Sequence, residues 1–144
     1  MCMVAAGTLR AQVLIERTLL PLEPLTSLPL ANGDILLGTD GDGMDVPMHI
    51  IRLDPTAQQV LWAREFGNID SLYGMTPLEE LPNGNIVFGM KQIDNLGTQC
   101  AMACVSAQGN MLWSKVYTGS SSTLSNLLRT STGDLVIGQS GGAG

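Results

Sequence analysis

Two short sequence columns recur along this chain at a constant mutual distance, and that regularity limits its fold more than any single motif does. The first column is a turn followed by an apolar run. Asn32-Gly33-Asp34-Ile35-Leu36-Leu37-Gly38 aligns with Asn83-Gly84-Asn85-Ile86-Val87-Phe88-Gly89 and with Thr132-Gly133-Asp134-Leu135-Val136-Ile137-Gly138. Gly33, Gly84 and Gly133 are 51 and 49 residues apart. The second column is Val60-Leu61-Trp62-Ala63-Arg64-Glu65-Phe66, repeated as Met111-Leu112-Trp113-Ser114-Lys115-Val116-Tyr117 and more faintly as Val13-Leu14-Ile15-Glu16-Arg17-Thr18-Leu19. Gly33 to Trp62 and Gly84 to Trp113 both measure 29 residues.

Each unit reads as four short strands. Asn-Gly or Thr-Gly ahead of a β-branched apolar run is hairpin chemistry, because glycine accepts the positive φ that a tight turn requires. A second hairpin is predicted from Met48–Leu53 and Val60–Phe66, joined by Asp54–Gln59, and its copy from Thr98–Val105 and Met111–Tyr117, joined by Ser106–Asn110. The remaining strand falls around Tyr73–Leu81 and again around Thr123–Thr130. Apolar runs this short, bounded by Gly, Asn or Asp, fit strands rather than helices. Only Ser122–Arg129 could equally pass for a short helix. Runs such as Ile35-Leu36-Leu37 and Ile86-Val87-Phe88 are apolar on both faces, so sheets must stack on either side of them.

A period of about 50 residues with four strands is the pattern of a propeller blade. On Gly33–Gly38, Ile51–Asp54, Val60–Trp62, Gly84–Gly89, Gln108–Trp113 and Gly133–Gly138, the chain resembles bacterial β-propeller repeat families. The resemblance spans roughly residues 11–140. It implies an all-β fold, a partial β-propeller-like array of four-stranded antiparallel blades with about two and a half repeats. Residues 13–144 form this incomplete repeat domain, starting on the last strand of one unit and stopping where an outer hairpin is expected. Either a longer chain or self-association then completes the array, since open strand edges invite pairing. The Asp54 to Trp62 spacing also resembles the tryptophan-docking repeats of quinoprotein dehydrogenases, from which the chain departs at Ala57-Gln58 and in having no vicinal cysteine pair.

Composition narrows the partners. Seven Lys+Arg against thirteen Asp+Glu give a net charge of −6, and the basic residues are scattered. A nucleic-acid binder concentrates them on one face, so no nucleic-acid partner is expected. No run approaches the ~18 apolar residues of a membrane span. Cys2, Cys100 and Cys104 are too few for a disulfide framework. On one strand face Cys100 and Cys104 would sit ~13 Å apart, beyond disulfide reach, and read as buried apolar fillers. Residues 1–12, small-residue-rich and ending Ala11-Gln12, resemble the tail of a truncated secretory signal peptide, the alternative being a frayed or strand-forming terminus.

Chemistry-bearing residues are few. Asp40, Asp42 and Asp45, in Asp40-Gly41-Asp42-Gly43-Met44-Asp45, resemble the Asp-x-Asp-Gly core of calcium loops, and the same residues also make an ordinary solvated turn. No cofactor is expected, with calcium at this loop as the alternative. His49, the sole histidine, aligns with Cys100 one unit on, which would be needed for a His/Cys zinc site. Glu79 and Glu80 are adjacent and on a strand point to opposite faces, which rules out paired acid–base work. Ser120–Ser122 lacks a nucleophile elbow. Arg17, Arg64 and Lys115 form a basic column suited to ion pairing at a blade rim. No catalytic residues are assigned. The function expected is a non-enzymatic binding or structural scaffold in an exported or cell-surface protein, meeting a protein or carbohydrate ligand through loops at one rim. The alternatives are a fragment of a propeller enzyme, quinoprotein-like or hydrolytic, and a calcium-dependent module.

Overall fold

The computed structural model describes residues 24–39, 47–66, 72–73, 77–94, 97–117 and 123–140. All the regular elements there are strands, and they form an all-β array of antiparallel blades. The first blade has the order β1 (Pro24–Pro29), β2 (Ile35–Thr39), β3 (Met48–Leu53), β4 (Val60–Phe66). In the second, β5 (Leu72–Tyr73) and β6 (Leu78–Glu80) share the first position beside β7 (Ile86–Asp94), followed by β8 (Gly97–Val105) and β9 (Met111–Tyr117). A third sheet pairs β10 (Thr123–Arg129) with β11 (Leu135–Ser140). Thus, of the stretch Ser122–Arg129, the described residues Thr123–Arg129 form a strand, not a helix, with Leu124 and Leu127 buried against the second blade. The segment expected as one strand at Tyr73–Leu81 is divided in two. Residues 1–12 and the early strand at 13–19 lie outside the described residues.

One five-residue turn is used four times. Leu30 N–H donates to Asp34 O and Gly33 N–H to Leu30 O, at 2.8 and 2.9 Å; the same pair of bonds closes Leu81–Asn85, Ser106–Asn110 and Thr130–Asp134. Gly33, Gly84, Gly109 and Gly133 all have φ between +77° and +92°, a region that costs an L side chain roughly 1–2 kcal/mol. That penalty explains the glycine column.

Strand β1 has no counterpart in the sequence reading, since Pro24 and Pro29 argue against a strand. It forms because it lies at the sheet edge, where a missing N–H removes no interior ladder bond. Its pairing with β2 carries one extra residue, Leu25, beside the Thr26–Gly38 pair. β10 carries Ser125 beside Asn126–Gly138 in the same way. In the second blade the register against β7 shifts between the Tyr73–Lys91 and Leu78–Phe88 pairs, and Gly89 N–H donates to Pro77 O at 3.1 Å.

The blades stack through two apolar layers. Leu36, Met48, Ile50 and Phe66 of the first blade meet Ile86, Phe88, Ala101, Ala103 and Val105 of the second. Phe66 and Phe88 pack with ring centroids 5.1 Å apart. The opposite face of the second blade, with Val87, Cys100, Met102 and Cys104, receives Leu124 and Leu127 from the third sheet. Alternate residues of one strand therefore feed two different cores, as the doubly apolar runs require. β6 touches both β1 and β10, so the first strands of successive sheets adjoin one another.

Candidate binding cleft at the turn rim

That convergence brings three equivalent turns to one rim. Between them lies a cleft of about 380 Å³, lined by Ala31, Glu80–Pro82, Arg129–Ser131 and Gly133. The first blade contributes Ala31 of its turn, the second the end of β6 and the start of its turn, and the third the end of β10 and its glycine turn. The strand alternation expected for Glu79 and Glu80 sets the electrostatics. Glu80 Oε2 accepts from Ala31 N–H of the first blade at 2.7 Å, while Glu79 Oε1 lies 3.7 Å from Arg129 Nε of the third. The Arg129 side chain remains about one-third exposed, and a pair this long and this wet contributes well under ~1 kcal/mol. Its guanidinium is therefore available to a ligand. Thr130 and Thr132 hydroxyls share a 2.8 Å hydrogen bond, and Ser131 is exposed beside them. A guanidinium, a carboxylate, hydroxyls and backbone groups beside Leu81 and Pro82 can hydrogen-bond a polar ligand. The lining includes neither His nor Cys.

A second polar cluster joins the first two blades, from the Leu30–Asp34 turn out along β3 and β4. Arg52 donates through Nε to Asp34 Oδ2 at 2.7 Å and through Nη1 to Ala107 O at 2.7 Å. Trp62 Nε1 donates to the same carbonyl at 3.0 Å, and Arg64 Nη2 to Gln108 O at 3.3 Å. The hydrogen bond from Asn32 and then the Arg52 guanidinium hold the Asp34 carboxyl below its ordinary value. These bonds clamp the Ser106–Asn110 turn of the second blade onto the first. Arg64 accordingly contacts carbonyls and, at 6.0 Å, the Trp62 ring, where the sequence suggested rim ion pairing; Lys115 sits 5.2 Å from the Tyr117 ring.

The structure separates His49 from Cys100. Met48 pairs with Phe66 as Cys100 pairs with Tyr117, and Arg52 pairs with Trp62 as Cys104 pairs with Trp113. In space Cys100 thus corresponds to Met48. His49 lies on the first blade's face away from the second, and Cys100 on the second blade's face away from the first, so they cannot share a zinc ion. Among the described residues no group of three or more His, Cys, Asp or Glu is placed to hold a metal. Asp40, Asp42 and Asp45 lie outside the described residues. Cys100 and Cys104 are buried thiols outside any disulfide among the described residues, as expected of apolar fillers, and burial pushes the Cys104 thiol above its ordinary value. No described helix is long and apolar enough to cross a membrane.

Neither the cleft nor the clamp was read from the sequence. Arg129 and Arg52 lie outside the two repeated columns, and the stacking of sheets gives Arg129 its Glu79 partner and Arg52 its contact with Ala107 O. Comparison with known protein families finds no matching family model, and comparison with curated proteins finds no match either.

Proposed function

We propose that this chain is a non-enzymatic β-propeller-like repeat segment, acting as a binding scaffold within an exported or cell-surface protein, and that the turn rim is its recognition surface. The observation that carries the reading is the convergence of three equivalent turns on the cleft beside Arg129. The central strands β7 and β8 pack on both faces, and the turn rim offers loop groups for recognition. Repeat folds host many activities, so the argument rests on this site and not on the architecture. A cleft of exposed hydroxyls and one guanidinium suits a carbohydrate or an extended protein segment. The test is amide NMR of the labelled protein against panels of neutral oligosaccharides, acidic oligosaccharides and short peptides. Saturable shifts centred on Thr130, Ser131 and Gly133, lost in Arg129→Ala, are expected. Shifts confined elsewhere, turnover of a probe, or no shift with any panel would overturn the proposal.

A further inference from the structure

The first blade shows how an outer hairpin seats on its neighbour. Trp62 is half-buried under the Ser106–Asn110 turn, with Nε1 bonded to Ala107 O. Gly109 lies flat against it: a Cβ there would come within 3.0 Å of Trp62 Cε3 and Arg64 Cγ. The second blade repeats this strand position, and among the described residues no turn is bonded to its tryptophan. Trp113 pairs with Cys104 on the face turned to the third sheet, yet is 43% exposed. The third sheet covers the inner part of that face with Leu124, Leu127, Leu135 and Ile137. Among the described residues β11 pairs only with β10, whereas its counterpart β2 pairs on its other side with β3.

We infer that the Trp113 face, together with the outer edge of β11, is a docking seat for a β-hairpin whose turn carries a glycine at positive φ. The seat continues, one repeat on, the interface that the first two blades already form. The hairpin adds its first strand to β11 through main-chain hydrogen bonds and lays a turn carbonyl on Trp113 Nε1. Its turn requires glycine for two reasons, the backbone conformation and the approach of the indole face. The chain's own outer turns do not supply this from a second copy. Ser106–Asn110 is engaged by Trp62, and in Asp54–Gln59 the left-handed position is Ala57, whose Cβ would meet the ring. The occupant is therefore the outer hairpin of another blade-like unit.

The probe is a synthetic peptide with the sequence of residues 97–117, the second blade's own outer hairpin. The readout is the ¹⁹F resonance of Trp113 in the 5-fluorotryptophan-labelled wild-type chain, distinguished from Trp62 through Trp62→Phe. A saturable shift of the Trp113 signal alone is expected, weakened at least tenfold when the peptide carries Gly109→Ala. Amide exchange along Leu135–Ser140 should slow in parallel, and this second measurement does not depend on any variant folding. No shift, an equal shift with the alanine peptide, or Trp113 shielding that rises with protein concentration in the absence of peptide would each overturn the inference, the last by assigning the seat to a second copy.

Discussion

Trp62 and Trp113 occupy the same place in two successive blades, and their surroundings differ in nearly every other respect. Trp62 has a carbonyl on its indole N–H and a glycine turn against its ring; Trp113 is exposed, and its neighbouring cation leans toward Tyr117 instead. The residue opposite each tryptophan differs too, Arg52 in one blade and Cys104 in the other. An identical residue in an identical strand is thus a structural clamp in one unit and an open surface in the next. What separates them is the presence of a neighbouring turn, which is a property of the stack and not of the repeat.

This contrast can be broken most forcefully at the shared core. Phe88 is fully buried between the first two blades, and Phe88→Ala should cost about 3–5 kcal/mol, seen as a lower urea midpoint with both blades losing structure together. Next in size is Gly109→Ala, which combines a left-handed conformation with contact against Trp62 and should cost about 3 kcal/mol. Gly133 has the same φ but nothing within 4 Å, so Gly133→Ala should cost only about 1–2 kcal/mol. Equal losses at the two glycines would mean that the clamp contributes nothing. Smaller still, Trp62→Phe should cost about 1 kcal/mol for the lost hydrogen bond, while Trp113→Phe should change stability by less than ~0.5 kcal/mol.

The smallest effect is electrostatic. The Asp34 carboxyl is held below its ordinary value of 3.8, so its contribution is present at neutral pH and fades as pH falls through the lowered value. The second blade has Asn85 at this place and no such dependence. Asp34→Asn should therefore lose stability relative to wild type at about pH 6, and the gap should narrow toward about pH 3 in urea unfolding. Asp54, also held low, chiefly by Thr56, remains in both proteins and supplies a common acid slope. A gap that widened on acidification would contradict the assignment.

The strands at Met48–Leu53, Val60–Phe66 and Met111–Tyr117 were legible to the residue, because apolar runs bounded by turn residues carry that information locally. The turn glycines were legible for the same reason. β1 was not, because prolines that forbid an interior strand are harmless at an edge, and edge status is decided by the whole sheet. The His49 and Cys100 correspondence failed for a subtler cause. The connection before β8 is effectively one residue longer than that before β3, and the Asp54–Gln59 turn is one residue longer than Ser106–Asn110. The two differences cancel in the Gly-to-Trp spacing, so a constant 29 residues concealed a slip between the columns. Arg129 was silent in the sequence because its partner Glu79 comes from another sheet, and Arg52 because its bond to Asp34 spans two strands and its bond to Ala107 O spans two blades.

The irregularities where Leu25 and Ser125 stand out of pairing acquire weight from the doubly buried strands around them. In a one-sided sheet, sliding a strand by one residue is punished at once, since it turns apolar groups to water. Here both faces of β2 and β7 are apolar, so hydrophobicity barely distinguishes a correct alignment from its neighbour. An unpaired residue at a fixed height, together with a turn that only glycine can close, leaves one alignment geometrically available. Fidelity of assembly in this chain is thus written in its departures from regularity, and deleting Leu25 or Ser125 would remove the marker by which each sheet finds its own alignment.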